Sequence, residues 1–279
     1  VNRIETCLDG CHDSKLRTIL EAGAAAALAA GQILKARFGK VLEVRHKGKN
    51  DLVTEADLAA EEAVLDILER RSGGAVILSE ESRPSGDALD ARQSWIVDPL
   101  DGTTNFAHGY PWFGVSVAFL EHAEVLAGVI YCPPRDELFC ACRGHGAWMN
   151  GSRIHTSDVG SLSNALVATG FPYDIHEAPD PVLAALKEVL TRAQGVRRAG
   201  SAALDLASVA CGRLDGFWEM KLKPWDTAAG MLLLTEAEGR ITDFKSRDFS
   251  PFMAEVLATN SHIHGQLAPL LAPFSGRKH

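Results

Sequence analysis

Two acidic clusters sit where the chain changes direction, and a third acid stands far downstream. Glu80 and Glu81 follow the apolar run 75–78, and Asp98-Pro99-Leu100-Asp101-Gly102-Thr103-Thr104 follows Trp95-Ile96-Val97. Asp226 belongs to Trp225-Asp226-Thr227-Ala228-Ala229-Gly230, at the start of a helical stretch. Acids delivered by strand ends and helix starts can meet in space, but carboxylates that meet repel one another. Such a cluster makes physical sense when cations occupy it. Hard divalent ions such as Mg2+ take oxygen ligands of this kind and hold substrate phosphates as well. The pattern points first to metal-dependent phosphoryl transfer.

Each signal also has a plainer explanation. Pro99 keeps Asp98 out of helical geometry, so that Asp98, the Leu100 carbonyl and Asp101 can face one point. Gly102 permits a tight turn, and the Gly102 and Thr103 amides then open a helix, a seat for phosphate. The same string also fits a capped turn with Pro and Gly as punctuation. Glu80 and Glu81 fit a solvated pair. Asp226 fits a first-turn acid favoured by the helix dipole, with Lys221 and Lys223 as local partners. Asp57 stands three residues after Thr54, as in a capping box. Lys47 and Lys49 flank Gly48 and read most simply as solvated.

The elements that must position these groups follow from periodicity. A helical stripe with an unusually small-sided centre runs from 16 to 38, so a neighbouring element can approach closely. A second helix covers 55–71, after a polar turn at 46–51. Strand-like runs lie at 75–79 and 95–97, with a loop at 83–92 between them. More follow at 115–120, 125–132, 137–143 and 147–149, and Asn150-Gly151 marks a tight hairpin. This half reads as two helices beside a largely antiparallel sheet. In the second half, strands at 165–169, 216–220, 240–244 and 256–259 alternate with helices at 181–193, 201–211, 225–238 and from 261 onward, an α/β pattern. The soft boundary at 154–162 divides a single catalytic domain into an N-terminal half, about 15–153, and a C-terminal half, about 154–279. Residues 1–14 are polar, aperiodic and expected to fray.

Composition narrows the possibilities. The 279 residues are 46% hydrophobic and 23% charged, enough for a sizeable core. A net charge of −8 argues against a general nucleic-acid binder. It does not exclude an anionic small substrate, because bound metals invert the field in one cleft. No uninterrupted apolar stretch reaches ~18 residues, so no membrane span is expected. The alanine-rich run 22–30 lacks the basic leader of a signal peptide. Six cysteines without a CxxC pair are expected as reduced thiols in a cytoplasmic protein. His262, His264 and His279 are expected on solvated helix or tail surface.

The joint ordering of the motifs carries more than any one of them. Asp51-Leu-Val-Thr-Glu-Ala-Asp57, Glu80-Glu-Ser82, Trp95-Ile-Val-Asp-Pro-Leu-Asp-Gly-Thr-Thr-Asn-Phe106, Gly200-Ser-Ala-Ala-Leu-Asp-Leu206 and Trp225-Asp-Thr-Ala-Ala-Gly230 together resemble the inositol monophosphatase family. The similarity runs from about residue 16 to about 271. It implies a layered αβαβα sandwich of the sugar-phosphatase type, usually a homodimer, with two to three Mg2+ ions and lithium sensitivity.

In that resemblance, Glu80, Asp98 and the Leu100 carbonyl hold one Mg2+. Asp98, Asp101 and Asp226 share a second, and Glu80 contacts a weaker third. Glu80 therefore counts among the catalytic positions. A metal-activated water is the implied nucleophile, oriented by Thr103 with Asp57 accepting from the threonine hydroxyl. Implied substrate contacts are Asp101, Gly102, Thr103, Thr104, Ala202, Glu219 and Lys47. The substrate class is a small polyol phosphate, with inositol 1-phosphate first. Histidinol phosphate, fructose 1,6-bisphosphate and 3′-phosphoadenylates are the alternatives, and a mainly non-enzymatic regulatory binding protein is another. Phe171-Pro172-Tyr173 departs from the small polar residues of some members, and Glu238-Gly239 replaces their paired glycines.

Overall fold

In the computed structural model, residues 5, 8, 11–40, 44–46, 52–71, 73–82 and 91–276 are described. Of the polar turn expected at 46–51, His46 instead ends a strand; the rest, with Lys47, falls outside the described residues, as do His279 and most of the loop expected at 83–92. Helix α1 (Ser14–Arg37) is capped by Asp13, whose carboxylate accepts from the Lys15 and Leu16 amides. After β1 (Val44–His46) and β2 (Leu52–Thr54) comes α2 (Glu55–Arg71).

A seven-stranded sheet follows: β3 (Val76–Ser79), β4 (Gln93–Asp101), β5 (Gly114–Glu121), β6 (Glu124–Cys132), β7 (Glu137–Cys142), β8 (Ala147–Met149) and β9 (Ser152–Ile154), paired in that order. Strand β3 runs parallel to β4, and every later pair is antiparallel. Between β4 and β5 the chain forms the short α3 (Thr103–Ala107). The β8–β9 hairpin turns on Asn150 and Gly151, both at positive φ, as a two-residue primed turn requires.

The second sheet has the order β11-β10-β12-β14-β13. Its strands are β10 (Leu166–Thr169), β11 (Gly195–Arg197), β12 (Gly216–Met220), β13 (Arg240–Thr242) and β14 (Glu255–Thr259). The helices interleaved with them are α4 (Pro179–Leu190), α5 (Ala202–Ala210), α6 (Pro224–Glu236) and α7 (His264–Leu271).

Period-two alternation decides which layer each strand face meets. Trp95, Val97, Val117, Phe119 and Val129 point outward into one core with α1 and α2. Ile96, Ala118, Leu120 and Ile130, one residue out of phase, face inward onto α5 and α6. On the second sheet Phe217, Val256 and Ala258 join that inner core. Trp218, Met220 and Leu257 pack outward against α4 and α7. The result is five layers, αβαβα. The small-sided centre of α1 lets the sheet come close: a methyl group at Gly31 would lie 2.3 Å from the Tyr131 ring.

Three expectations need correction, and one helix needs comment. The N-terminal segment does not simply fray, since Leu8 and Cys11 are buried in the outer core. Cys140 is disulfide-bonded, with its partner outside the described residues. Cys11, Cys132, Cys142 and Cys211 are free, and burial pushes the Cys132 thiol up to about 11. His264 is buried rather than solvated, because the last helix begins there and turns the imidazole inward. Its two ring nitrogens each lie 3.0 Å from a hydroxyl, of Thr242 and Thr259. Burial, reinforced by Arg240, pulls its pKa down to about 4. Lastly, α1 is long and apolar enough to cross a membrane by length and composition. Here its alanine face is buried against the large sheet.

Candidate active site

Strand β4 does more than reach the sheet edge. It continues through Pro99 to Asp101, because the register slips between Asp98↔Ser116 and Asp101↔Gly114. Pro99 is tolerated there, as a bulge asks for no ladder hydrogen bond from it. Asp98 continues the inward face begun by Ile96, so it emerges beneath α6 rather than beneath α1. Its Oδ1 accepts from the Leu100 amide at 2.9 Å, fixing the carboxylate across the bulge. Gly102 then takes φ +94° and caps α3, and a Cβ there would meet the Trp112 carbonyl at 3.0 Å. Both observations require glycine.

Thr103 is buried, and its Oγ lies 2.9 Å from Asp57 Oδ1 and 3.0 Å from the Leu100 carbonyl. Asp57 does act as a cap: its Oδ2 accepts from the Thr54 amide at 2.8 Å and from the Thr54 hydroxyl at 2.5 Å. Its other oxygen is the one facing Thr103, so the capping and site readings hold together. Burial raises the Asp57 pKa, and the Thr54 and Thr103 bonds oppose that shift.

Asp226 sits at the third position of α6, and its Oδ2 accepts from the Lys223 amide at 2.7 Å. The expected lysine partnership is not what holds it. Lys221 instead pairs with Asp174 at 2.5 Å. A residue not anticipated ties the two walls together: Ser116, opposite Asp98 on β5, donates to the Trp225 carbonyl at 3.0 Å. Asp101 is held by the Ser201 hydroxyl at 2.6 Å and the Ala203 amide at 2.8 Å, at the start of α5. Asn105 links α3 to the same segment, donating to the Ala199 carbonyl at 2.9 Å. Glu80 occupies the turn after β3, where its amide donates to the Val97 carbonyl. Buried Glu61 steadies that turn by accepting from Ser79 and from the Ser82 amide.

These groups line one cavity of about 330 Å³. Glu80, Asp98, Leu100, Asp101, Gly102, Thr103, Thr104, Ala202, Glu219 and Asp226 all contribute to its wall. Asp57 stands one shell behind, through Thr103. Glu219, buried on the inward face of β12 beside Phe217, is not a surface acid. Its carboxylate rests against Gly170, where a Cβ would fall 2.0 Å from it. Burial, with Asp205 and Asp101 nearby, pushes its pKa up to about 8. Asp205 and Arg198 also line the cavity. Asp205 stands in the motif 200–206 without a role drawn from the sequence, and Arg198 lies outside every motif.

The acids raise one another's pKa. Asp98 is pushed well up by burial first, then by Glu80, Asp101 and Asp226. Asp226 is raised by burial and then by Asp101, and burial takes Asp101 to about 6. Among the described residues, no group of three or more such side chains stands in ready-made ligand geometry. The donor set nonetheless suits a hard divalent cation. All the donors are oxygens, and the hydrogen bonds to Asp98 and Asp226 engage one carboxylate oxygen each. That arrangement orients a ligand while leaving its second oxygen available.

The comparisons with known proteins agree with this geometry. The inositol monophosphatase family profile matches residues 15–274. An inositol-1-monophosphatase of Synechocystis is 44% identical, over 93% of this chain and 90% of its own. A putative Nus factor SuhB of Neisseria meningitidis is 39% identical, over 88% and 95%. The solved inositol monophosphatase of Anabaena superposes with a TM-score of 0.84 at 43% identity, covering 93% of this chain and 97% of its own. With the family profile spanning nearly the whole chain, and relatives of the family at 44% and 43% identity covered almost end to end, this chain belongs to the inositol monophosphatase family.

Proposed function

We propose that the protein is a Mg2+-dependent phosphomonoesterase that hydrolyses a small polyol phosphate, with inositol 1-phosphate the foremost substrate. The observation that carries this reading is the convergence of Asp98, Asp101 and Asp226 on one cavity, beside the Thr103–Asp57 pair. Two to three bound Mg2+ ions would neutralise that wall, acidify a water and stabilise the leaving alkoxide. Glu80, Asp98, the Leu100 carbonyl, Asp101 and Asp226 are the residues that would hold them.

The chain's own residues do the rest. Thr103 has one hydroxyl proton, and when it goes to Asp57 the oxygen lone pairs face the cavity and can accept from water. Asp57, buried and fixed by Thr54, keeps that direction. The Gly102 and Thr103 amides seat the phosphate at the opening of α3. Glu219 and Asp101 accept from substrate hydroxyls, and Ala202 lies against the ring. Lys47 is retained as a phosphate contact, and a homodimer in the cytoplasm is the working assembly. The name inositol-1-monophosphatase borne by a relative of 44% identity favours the inositol ester.

Phosphate release from inositol 1-phosphate, histidinol phosphate, fructose 1,6-bisphosphate and a 3′-phosphoadenylate, with and without Mg2+, tests this. Mg2+-dependent turnover highest on the inositol ester is expected, inhibited by millimolar lithium. Equal or better turnover of histidinol phosphate would overturn the substrate assignment. A second reading, a regulatory binding protein, is favoured by the SuhB name of a relative at 39% identity. It stands alone if no ester in the panel turns over.

A further inference from the structure

Asp205 is the feature of the cavity that the chemistry above leaves unexplained. It lies in the first turn of α5, 2% exposed, and its backbone amide is satisfied by the Ser201 carbonyl. Its side-chain Oδ1 is buried with no hydrogen-bond partner, yet the residue lines the cavity beside Glu219. Arg198 does not neutralise it by contact. That guanidinium stacks over Phe171, 5.3 Å from the ring centroid, and among the described residues it makes no ion pair.

Helix position alone does not account for this arrangement. A first-turn acid gains only modestly from the helix dipole, whether or not it is buried. Burying a polar oxygen without a donor forfeits its full desolvation energy, and more when it is charged. The cost exceeds the gain, so the missing donor belongs to something that enters the cavity. Glu219 presents a second carboxylate to the same space. An ammonium group would satisfy both acids, but it would have to enter beside Arg198, Lys221 and Lys223, which line the same cavity. A neutral hydroxyl meets no such repulsion.

We propose that Asp205 is a substrate-specificity residue that accepts a hydrogen bond from a hydroxyl of the leaving alcohol, alongside Glu219, so that the site selects polyhydroxylated esters. This rests on the phosphomonoesterase reading above. Asp205→Ala and Asp205→Leu both remove the acceptor, one leaving space and the other filling it. Folding of each is checked by circular dichroism and melting temperature. The Mg2+-dependent kcat/KM is then measured on inositol 1-phosphate and on p-nitrophenyl phosphate, which has no hydroxyl. The preference for the inositol ester is expected to fall at least about tenfold, the size of one hydrogen bond to a charged group. The loss should appear in KM, and Asp205→Asn, which keeps an acceptor oxygen, should recover most of it. A preference that stays within twofold, or a loss in kcat shared by both esters, would overturn the assignment. So would faster turnover by the parent of an ester carrying an ammonium in place of the hydroxyls. If the parent hydrolyses neither ester, the phosphomonoesterase reading falls and takes this inference with it. A parent active on both, with unmoved variants, sinks this inference alone.

Discussion

The two walls of the cavity hold their acids by different means. On the large-sheet wall, backbone geometry aims Asp98 and Asp101: a bulge at Pro99, an amide bond across it and a left-handed Gly102. On the small-sheet wall, Glu219 and Asp205 are placed by burial on a strand face and a helix turn, and Asp205 Oδ1 has no donor. The first wall is built to bring like charges together, and the second to keep polar groups waiting in an apolar frame. On the proposed function, the acids of reaction chemistry and those of substrate choice are thus held by different devices, backbone geometry for Asp98 and Asp101 and burial for Glu219 and Asp205.

That separation can be broken by mutation. The largest effect is expected at the proposed metal ligands: Asp98→Asn on the first wall, or Asp226→Asn on α6 opposite it, should lower Mg2+-dependent phosphate release by about 10³-fold or more. The same change should raise the melting temperature of metal-free protein, since it removes mutual repulsion. Variants that hydrolyse as well as the parent would refute the metal wall. Next, Thr103→Ala should cost about 10²-fold in kcat, while Mg2+ affinity by calorimetry stays within about threefold. Equal losses in both would make Thr103 a structural residue only.

A pH experiment on the metal-free protein sharpens the contrast between a waiting acid and a merely structural base. Glu219 has a folded pKa raised to about 8, so the folded state holds a proton that the unfolded state has released. Its contribution makes stability fall as pH rises from the ordinary glutamate range to about 8. His264, with its folded pKa lowered to about 4, has the opposite sign. The unfolded state binds the extra proton, and stability falls as pH drops from about 6.5 to about 4. Glu219→Gln should flatten the alkaline decline in denaturant midpoints, and His264→Asn the acidic one. If Glu219→Gln leaves the alkaline limb unchanged, its carboxylate is not held neutral by the fold. The smallest effect lies away from both walls. Glu238 takes φ +69° after α6, a position that glycine suits, so Glu238→Gly should stabilise by about 0.5–1 kcal/mol in urea titration.

Much of this was legible in advance because hydrophobic patterning is local. The helices at 55–71 and 16–38, the hairpin at Asn150-Gly151 and the inner-core helices were all readable from period and punctuation. The acids of the first wall were readable because Asp98-Pro99-Leu100-Asp101-Gly102 compresses a bulge and a turn into five residues. What stayed hidden depends on partners far away in sequence. Ser116 looks like any strand serine until β5 is set against α6. Asp205 imitates a dipole-favoured helix acid. His264 looked solvated because its two threonine partners lie five and 22 residues back. Strand β11 has three residues, too few for alternation to register.

One packing detail sets how far influence can travel. Gly128 on β6 lies so close to α6 that an added methyl would touch the Ala229 backbone at 3.0 Å, three residues beyond Asp226. The helix carrying Asp226, a proposed metal ligand, is therefore seated directly on bare sheet backbone, like a beam on a bearing without a shim. A single extra carbon inserted there would have to lift the beam. The Asp226 carboxylate would shift with it, so that on the proposed function magnesium affinity would be retuned from the sheet beneath the helix without altering any cavity-lining residue.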